Sequence, residues 1–289
     1  MTLLYARKLE YFLWGANQAL TSRDASCPGC SGLDTRVLRR KYIVTALREC
    51  GSCGLRFRTP KDDQNALENF YQKSYSQGFT TDCPSDEALA ALCSTNFAGC
   101  EKNFGDYVGV LDAIGLNSGD SILDFGASWG YGSWQLKCAG FEVFSYEISR
   151  PRAEYARTKL HCNTLDSVKQ LPQRVRCMFS SHVIEHLPNP NIIWEIANEV
   201  LTPDGVILCF CPNGDPGRES RIGAKQYHRT WGKVHPLLIS PRFLRNASKR
   251  HGFSSKIYST PYRLDMMRER VEAQTIVGDE LCMVASRLS

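Results

Sequence analysis

One stretch, Ser121–Gly132, limits the possible folds of this chain more than any other. It begins with the short apolar run Ser121–Phe125, which is typical of a buried strand, and then turns through a segment that contains three glycines. The helix-forming run Gly130–Cys138 follows. A strand that leads through a glycine turn into a helix is a common way of binding a nucleotide-like ligand, because glycine lets the backbone approach the ligand closely.

Strand and helix patterns alternate from this stretch to the end of the chain. The predicted strands are Ser121–Phe125, Glu142–Tyr146, Asn163–Leu165, Cys177–His182, Val206–Cys211, Phe253–Tyr258 and Glu280–Ala285. The predicted helices between them are Gly130–Cys138, Pro151–Leu160 and Asn191–Leu201. Such alternation predicts an α/β fold, Rossmann-like, with a largely parallel sheet.

The glycine turn does not identify its ligand, because dinucleotide enzymes use a similar turn. Two acids beside it are informative. Asp124 stands before the first glycine and can accept hydrogen bonds near the methionine part of S-adenosylmethionine (SAM), whereas a dinucleotide motif does not require such an acid. Glu147 ends the next strand and can accept both hydroxyls of a ribose, which suits SAM and NAD equally well.

Later segments favour SAM. Asp124–Gly130, Glu147, Val183–Pro190, Val200–Gly205 and Cys211–Asn213 together resemble class I SAM-dependent methyltransferases, most closely the group that acts on small molecules, sugars and glycans. The resemblance covers about residues 105–289 and implies a seven-stranded sheet whose last hairpin is reversed. It implies that the cofactor-binding residues are Asp124, Gly126, Ala127, Gly130, Glu147, Asp166 and Ser181. Ser128 departs from the pattern, because many relatives have glycine there.

Four of the thirteen cysteines form two C-x-x-C pairs near the N-terminus. Cys27 and Cys30 flank a Pro-Gly turn, and Cys50 and Cys53 flank a Gly-Ser turn. Four thiolates brought together in this way suit tetrahedral Zn²⁺, whereas a redox motif would need only one pair. We expect a small zinc ribbon with a closed, structural site, because so small a unit cannot bury enough apolar surface to fold alone. It resembles the zinc-binding front end of some sugar methyltransferases.

These features divide the chain into four parts. Residues 1–23 predict an amphipathic helix, residues 24–60 the zinc ribbon, residues 61–104 a helical linker, and residues 105–289 the methyltransferase domain. Tyr71 and Tyr75 in the linker are candidates for a lid over the site. The apolar runs are too short to span a bilayer and the N-terminus lacks the pattern of a signal peptide, so we expect a cytoplasmic protein.

The residues best suited to methyl transfer lie in the loop after the fourth predicted strand of the methyltransferase domain. Methyl transfer to a hydroxyl requires an oriented acceptor and a group that removes its proton. His182 and His186, beside Glu185, are candidate bases. For His186 a structural role is the alternative to a role as base. These three residues and His235 also resemble a divalent-metal site of some RNA and quinone-pathway methyltransferases, and three imidazoles would favour a transition metal over Mg²⁺. A zinc-protease helix is excluded by the prolines at 188 and 190.

The acceptor is less well defined by the sequence. Residues 215–250 carry nine Lys or Arg residues against two acids, which predicts either an ordinary solvated surface or a rim for a phosphate-bearing acceptor. We expect O-methylation of a sugar, glycan precursor or related small molecule. An RNA methyltransferase, with Tyr227 and Trp231 stacking on bases, and an inactive binding protein are also compatible with the sequence. The intact Asp124, Gly126 and Glu147 argue against an inactive protein.

Overall fold

The computed structural model describes residues 9, 11–18, 24–62 and 82–288, which form two sheets and the helices around them. The strands are β1 (Thr35–Lys41), β2 (Thr45–Cys50), β3 (Arg56–Thr59), β4 (Ser121–Phe125), β5 (Glu142–Tyr146), β6 (Asn163–Leu165), β7 (Val175–Ser181), β8 (Leu201–Pro212), β9 (Leu237–Leu238), β10 (Phe253–Ser259) and β11 (Glu280–Arg287). The helices are α1 (residues 11–18), α2 (Asp86–Ser94), α3 (Gly105–Ala113), α4 (Tyr131–Cys138), α5 (Arg150–Lys159), α6 (Ile192–Val200), α7 (Arg218–Ile222), α8 (Ala224–Arg229), α9 (Pro241–Arg250) and α10 (Leu264–Arg268), with short 3₁₀ turns at Val168–Gln170 and Ile184–His186.

The larger sheet has seven strands in the order β10-β11-β8-β7-β4-β5-β6. Strands β8, β7, β4, β5 and β6 are parallel, whereas β11 runs antiparallel to both β8 and β10. This confirms the predicted α/β methyltransferase sheet with its reversed last hairpin. Because β4 lies between β5 and β7, the loops that follow these three strands meet at one edge of the sheet.

Two strands start at a different residue from the one that the sequence predicts. Strand β7 starts at Val175 and ends at Ser181, so His182 lies just beyond it. Strand β8 starts at Leu201 rather than Val206, and its pairing with β7 shifts register between Val175 and Cys177. The segment predicted as a turn before β8 is therefore an irregular part of the strand itself.

The central strand β4 is buried on both faces. Ile122 packs in a cluster that includes Val110 and Leu111 of α3, and Leu123 packs on the opposite side with Trp194 and Phe243. Successive side chains of a strand point to opposite faces, so an apolar run of this kind fits a sheet covered by helices on both sides. The core thereby fixes the end of β4, where the glycine turn begins.

The smaller sheet has the order β1-β2-β3-β9 and carries the four cysteines at one end. Its fourth strand comes from the distant segment Leu237–Leu238, which pairs with β3. Helix α9 follows this strand and hydrogen-bonds the cysteine turns: Arg242 Nη2 donates to Gly51 O at 2.7 Å, and Arg250 Nη2 donates to Gly29 O at 2.7 Å. The ribbon is therefore held to the methyltransferase domain by a shared sheet and a shared helix.

The parts before and between these sheets are described only in portions. Helix α1 lies within the helix predicted for residues 1–23, and Ser85 caps α2, with its Oγ accepting from Ala88 N at 3.3 Å. Tyr71 and Tyr75, the lid candidates, lie outside the described residues. No helix in the described ranges has the length and apolar character needed to cross a membrane.

Candidate active site and zinc site

The glycine turn after β4 requires glycine at two positions. Gly126 has φ +89° and Gly130 has φ +90°, both in the left-handed region. A Cβ on Gly126 would lie 2.3 Å from Val183 Cγ2, and a Cβ on Gly130 would lie 2.7 Å from Ala156 Cβ. The turn therefore packs directly against the loop after β7 and against helix α5.

Glu147, after β5, holds this turn in place. Its two carboxylate oxygens accept hydrogen bonds of 2.8 Å from the backbone nitrogens of Ser128 and Ser149. Ser128 has φ +52°, and its Oγ accepts from Arg152 Nη1 at 2.7 Å. The serine that departs from the family pattern is thus held by specific bonds in the conformation that glycine usually supplies. Burial raises the pKa of the Glu147 carboxyl, and each oxygen keeps a lone pair for a ribose hydroxyl.

Asp124 faces inward, beneath the turn. Its Oδ2 accepts from Ser133 Oγ at 2.6 Å, and Ser133 Oγ accepts in turn from Ser145 Oγ at 2.8 Å. Burial raises the pKa of Asp124 to about 7, even though the bond from Ser133 acts in the opposite direction. Asp124 thereby ties the first turn of α4 to the sheet. Neither serine could be identified from the sequence, because a serine within a helix or strand has no distinguishing pattern.

The other predicted cofactor residues follow the same edge of the sheet. Ala127 is buried, and its backbone nitrogen donates to Tyr146 O at 3.0 Å. Ser181 is the last residue of β7. Asp166 directly follows β6, is exposed, and forms a 3.0 Å ion pair with Arg157. The structure thus places all seven predicted cofactor residues along the carboxyl edge of β4, β5, β6 and β7.

His182 lies between two carboxylates. Its Nε2 is 2.6 Å from Glu280 Oε2, and its Nδ1 is 3.4 Å from Glu185 Oε1. Burial alone would lower the pKa of His182, but the two carboxylates outweigh it and raise the pKa to about 10. A protonated imidazole cannot take another proton, so this environment disfavours His182 as a base, and its role stays a prediction. Tyr107 and Tyr262 also donate to Glu280, and no sequence pattern indicated this network.

Glu185, His186 and His235 form a separate group. Their nearest ligand atoms all lie within 4.8 Å of one another. The Glu185 carboxylate is buried, and neither of its oxygens has a hydrogen-bond partner among the described residues. His186 Nδ1 donates to Val234 O at 2.7 Å, and His235 hydrogen-bonds the backbone of Thr230.

The surroundings of Glu185 favour an ionised carboxylate. Although burial raises the pKa of Glu185, the imidazoles of His182 and His186 outweigh it and hold the pKa below its ordinary value. Burial and the neighbouring His186 lower the pKa of His235. His182, the fourth residue of the predicted metal set, contacts Glu185 but is not among the residues whose ligand atoms all lie within 4.8 Å of one another.

The four cysteines have the geometry of a closed metal site. Cys27 Sγ and Cys53 Sγ are 3.5 Å apart, as are Cys30 Sγ and Cys50 Sγ, and all four sulfurs lie within 4.8 Å of one another. Tetrahedral Zn²⁺ with bonds of about 2.3 Å places neighbouring sulfurs about 3.8 Å apart, so this donor set fits zinc. Three of the cysteines are buried, which suits a structural ion.

The basic segment 215–250 is only partly available to a ligand. Five of its cations bond to other described residues: Arg218 to Asp279, Arg221 to Asp215, Arg242 to Gly51, Arg245 to Glu272 and Arg250 to Gly29. Tyr227 and Trp231 are each only 2% exposed. The structure therefore contradicts their predicted role in stacking on bases.

The seven-stranded sheet with its reversed hairpin, together with the glycine turn and Glu147 at its carboxyl edge, defines an α/β methyltransferase. The family described as "Methyltransferase domain" matches residues 101–255, which is more than half of the chain. The chain belongs to this family and is a SAM-dependent methyltransferase. A comparison with curated proteins finds no match.

Solved structures of other methyltransferases are similar to this chain. The CcbJ methyltransferase from Streptomyces caelestis is 14% identical, with a TM-score of 0.50 over 77% of this chain and 99% of that one. A TehB-like SAM-dependent methyltransferase from Corynebacterium glutamicum is 15% identical, with a TM-score of 0.47 over 70% of this chain and 95% of that one. At these identities the likeness concerns the fold alone.

Proposed function

We propose that this protein transfers the methyl group of SAM to an oxygen of a small-molecule acceptor, such as a sugar or glycan precursor. The observation that carries the proposal is the group formed by Glu185, His186 and His235. Glu185 and His186 lie in the loop after β7, His235 lies just before β9, and Val183 of the β7 loop packs against Gly126 of the cofactor turn. A proton-accepting group is thus close to the edge of the sheet where SAM would bind.

The cofactor would be held by the turn Gly126–Gly130 and by Glu147. Asp124 supports the turn from beneath, and Asp166 and Ser181 extend the site along the edge of the sheet. When bound, SAM supplies a methyl group that its sulfonium has already made electrophilic. What remains for the chain is to orient the acceptor and remove the proton of its hydroxyl.

We assign proton removal to His235. It lines an open cleft, whereas the adjoining Glu185 carboxylate is buried. One nitrogen of its ring is oriented by the backbone of Thr230, which leaves the other to accept a proton. His186, with its ring centroid 4.8 Å away, is a positioning residue, and Glu185 would stabilise the imidazolium that forms.

Activity and SAM binding test this proposal separately. We expect His235→Ala to lower kcat by about 100-fold or more and to leave SAM affinity unchanged by calorimetry. His161→Asn, at an exposed histidine elsewhere, is the matched control and should keep full activity. Full activity of His235→Ala would refute the assigned role.

The cofactor assignment has its own test. Asp124→Ala leaves the buried hydroxyl of Ser133 without its acceptor and frees the first turn of α4 from the sheet, so we expect it to abolish SAM binding in calorimetry. Asp106→Ala, at an exposed acid in α3, should bind SAM like the wild type. Normal SAM binding by Asp124→Ala would contradict the assigned site.

A metal-assisted mechanism is the second candidate, and the buried carboxylate of Glu185 favours it. Glu185, His186 and His235 would hold the ion, and two imidazoles with one carboxylate favour a transition metal over Mg²⁺. Such an ion would lower the pKa of a bound hydroxyl. Metal analysis distinguishes the two mechanisms: two equivalents in the wild type and one in His235→Ala would support the ion, whereas one equivalent in both would exclude it.

RNA methylation and a purely binding role have less support. RNA methylation would need accessible stacking residues and free cations, but Tyr227 and Trp231 are buried and five of the basic residues bond within the chain. An inactive binding protein would not need the glycine turn and the Glu147 bonds that this chain retains. Labelled SAM incubated with sugar phosphates, nucleotide sugars and total RNA should label a sugar derivative and leave RNA unlabelled.

A further inference from the structure

A cleft of about 380 Å³ opens between the zinc ribbon and the methyltransferase domain. Lys41 and Tyr42 of the ribbon hairpin form one wall, Tyr11 of α1 forms another, and the segment from His228 to His235 forms the third. We call it the ribbon cleft. Its volume is within the range of small-ligand sites, and His235 connects it to the proposed catalytic group.

The charged side chains among the described residues that line the ribbon cleft are all basic. Lys41, Arg229 and Lys233 line it together with two histidines, and no acidic side chain is among the described residues that line it. On the rest of segment 215–250, by contrast, most arginines have carboxylate or carbonyl partners. The cations of the cleft are thus concentrated at the place where a ligand would enter.

Lys41 is the most informative of these cations. It is mostly buried, its Nζ donates to Trp231 O at 2.5 Å, and it lies 4.4 Å from the centroid of the Trp231 ring. It forms no ion pair with any described residue, although a buried ammonium normally has an anionic partner. The side chain is therefore positioned and desolvated, but lacks a counter-ion.

Arg229 complements Lys41 from the opposite wall. It is exposed at the end of α8, lines the cleft, and forms no ion pair within the described part of the chain. A guanidinium offers paired donors that match the oxygens of a phosphoryl group, and an ammonium adds a point charge. The aromatic rings of Tyr11 and Tyr42 supply apolar surface beside these charges.

We infer that the ribbon cleft binds the phosphoryl group of the methyl acceptor, with Lys41 and Arg229 as its ligands. The inference rests on the proposed function and specifies its acceptor as a phosphorylated small molecule. The phosphoryl group is held between ribbon and domain, and the remainder of the acceptor extends along the cleft to His235. The zinc ribbon thus forms part of the acceptor site.

Calorimetry with inorganic pyrophosphate tests the inference without SAM or turnover. We expect the wild type to bind pyrophosphate, to bind malonate much more weakly, and to lose at least about 10-fold in pyrophosphate affinity in Arg229→Ala. Lys225→Ala is the matched control, because Lys225 lies one turn earlier on the same helix and does not line the cleft; it should bind like the wild type. Lys41→Met should also weaken binding.

Three outcomes would overturn the inference: no binding of pyrophosphate, equal binding of malonate, or equal losses in Arg229→Ala and Lys225→Ala. Arg229 is exposed, so its variant keeps the test valid if Lys41→Met folds poorly. The proposed function is tested separately from the phosphoryl site. A protein that methylates a sugar but does not bind pyrophosphate would refute only the phosphoryl site, and one that binds pyrophosphate but not SAM would refute the proposed activity.

Discussion

The cofactor turn needs glycine at position 126 for two reasons, the backbone angle and the lack of space for a Cβ. A comparison with Gly115, which lies outside the turn and has a similar φ, separates them. Gly126 has φ +89° and a Cβ there would lie 2.3 Å from Val183 Cγ2, whereas Gly115 has φ +91° and nothing within 4 Å of the Cβ position. The backbone penalty of an L-residue in this conformation is about 1–2 kcal/mol, and only Gly126 adds a steric clash.

We therefore expect Gly115→Ala to lower the free energy of unfolding by about 1 kcal/mol and to keep SAM affinity. Gly126→Ala should lower the free energy of unfolding by about 3 kcal/mol or more and abolish SAM binding, because the turn must move away from Val183. Urea denaturation and calorimetry measure the two effects. Equal destabilisation by both variants would mean that the contact with Val183 does not constrain the turn.

Single residues also show how much of the site could be predicted from the sequence. The positions of Gly126, Gly130 and Glu147 follow from a local pattern, because each lies at the end of a strand that can itself be recognised. The orientation of His182 does not, because it depends on Glu280, which is 98 residues away in sequence. The sequence alone could not indicate that two carboxylates would lie beside His182 and raise its pKa.

At the scale of elements, the strands of the large sheet were predictable because each is an apolar run bounded by turns. Strand β9 was not, since Leu237–Leu238 has only two residues and no periodicity to recognise. Yet this strand joins the ribbon to the methyltransferase domain, and α9 after it packs Phe243 so closely against the ribbon that a Cβ on Gly29 would lie 2.6 Å from the ring.

An ion held by the four cysteines should therefore stabilise the whole molecule. Three of the cysteines share one hydrophobic cluster with Phe57 and Phe243. We expect Cys50→Ser to lose the ribbon zinc and to lower Tm by about 10 °C or more in a single transition. Cys83→Ser, at an exposed cysteine outside the ribbon, should leave both zinc content and Tm unchanged. A separate low-temperature transition in Cys50→Ser would show that the ribbon unfolds independently.

At the scale of the whole molecule, the ribbon cleft brings together α1, the ribbon hairpin and the segment from His228 to His235. These parts are far apart in sequence, so no local pattern could place Lys41 beside Trp231. The excess of basic residues in 215–250 indicated a cationic surface. The structure shows instead that many of those cations bond within the fold, and that Lys41 of the ribbon lines the cleft.

The pH dependence of anion binding would report on Lys41. Burial lowers the pKa of Lys41 to about 8, so its charge is present below pH 8 and is lost above it. Tyr11, Tyr42, His228, Arg229, Lys233 and His235 also face the cleft. Burial lowers the pKa of His228 and of His235 and raises the pKa of Tyr11, so these three are neutral near pH 8, and the guanidinium of Arg229 stays charged.

We expect the affinity for pyrophosphate to fall by about 3-fold to 10-fold between pH 7 and pH 9, because the ammonium of Lys41 is lost over this range. Pyrophosphate itself gains negative charge as the pH rises, so a fall in affinity must come from the protein. Calorimetry at several pH values measures it. In Lys41→Met the affinity should be lower at pH 7 and should no longer fall towards pH 9; a fall as steep as that of the wild type would assign the titration to a group other than Lys41.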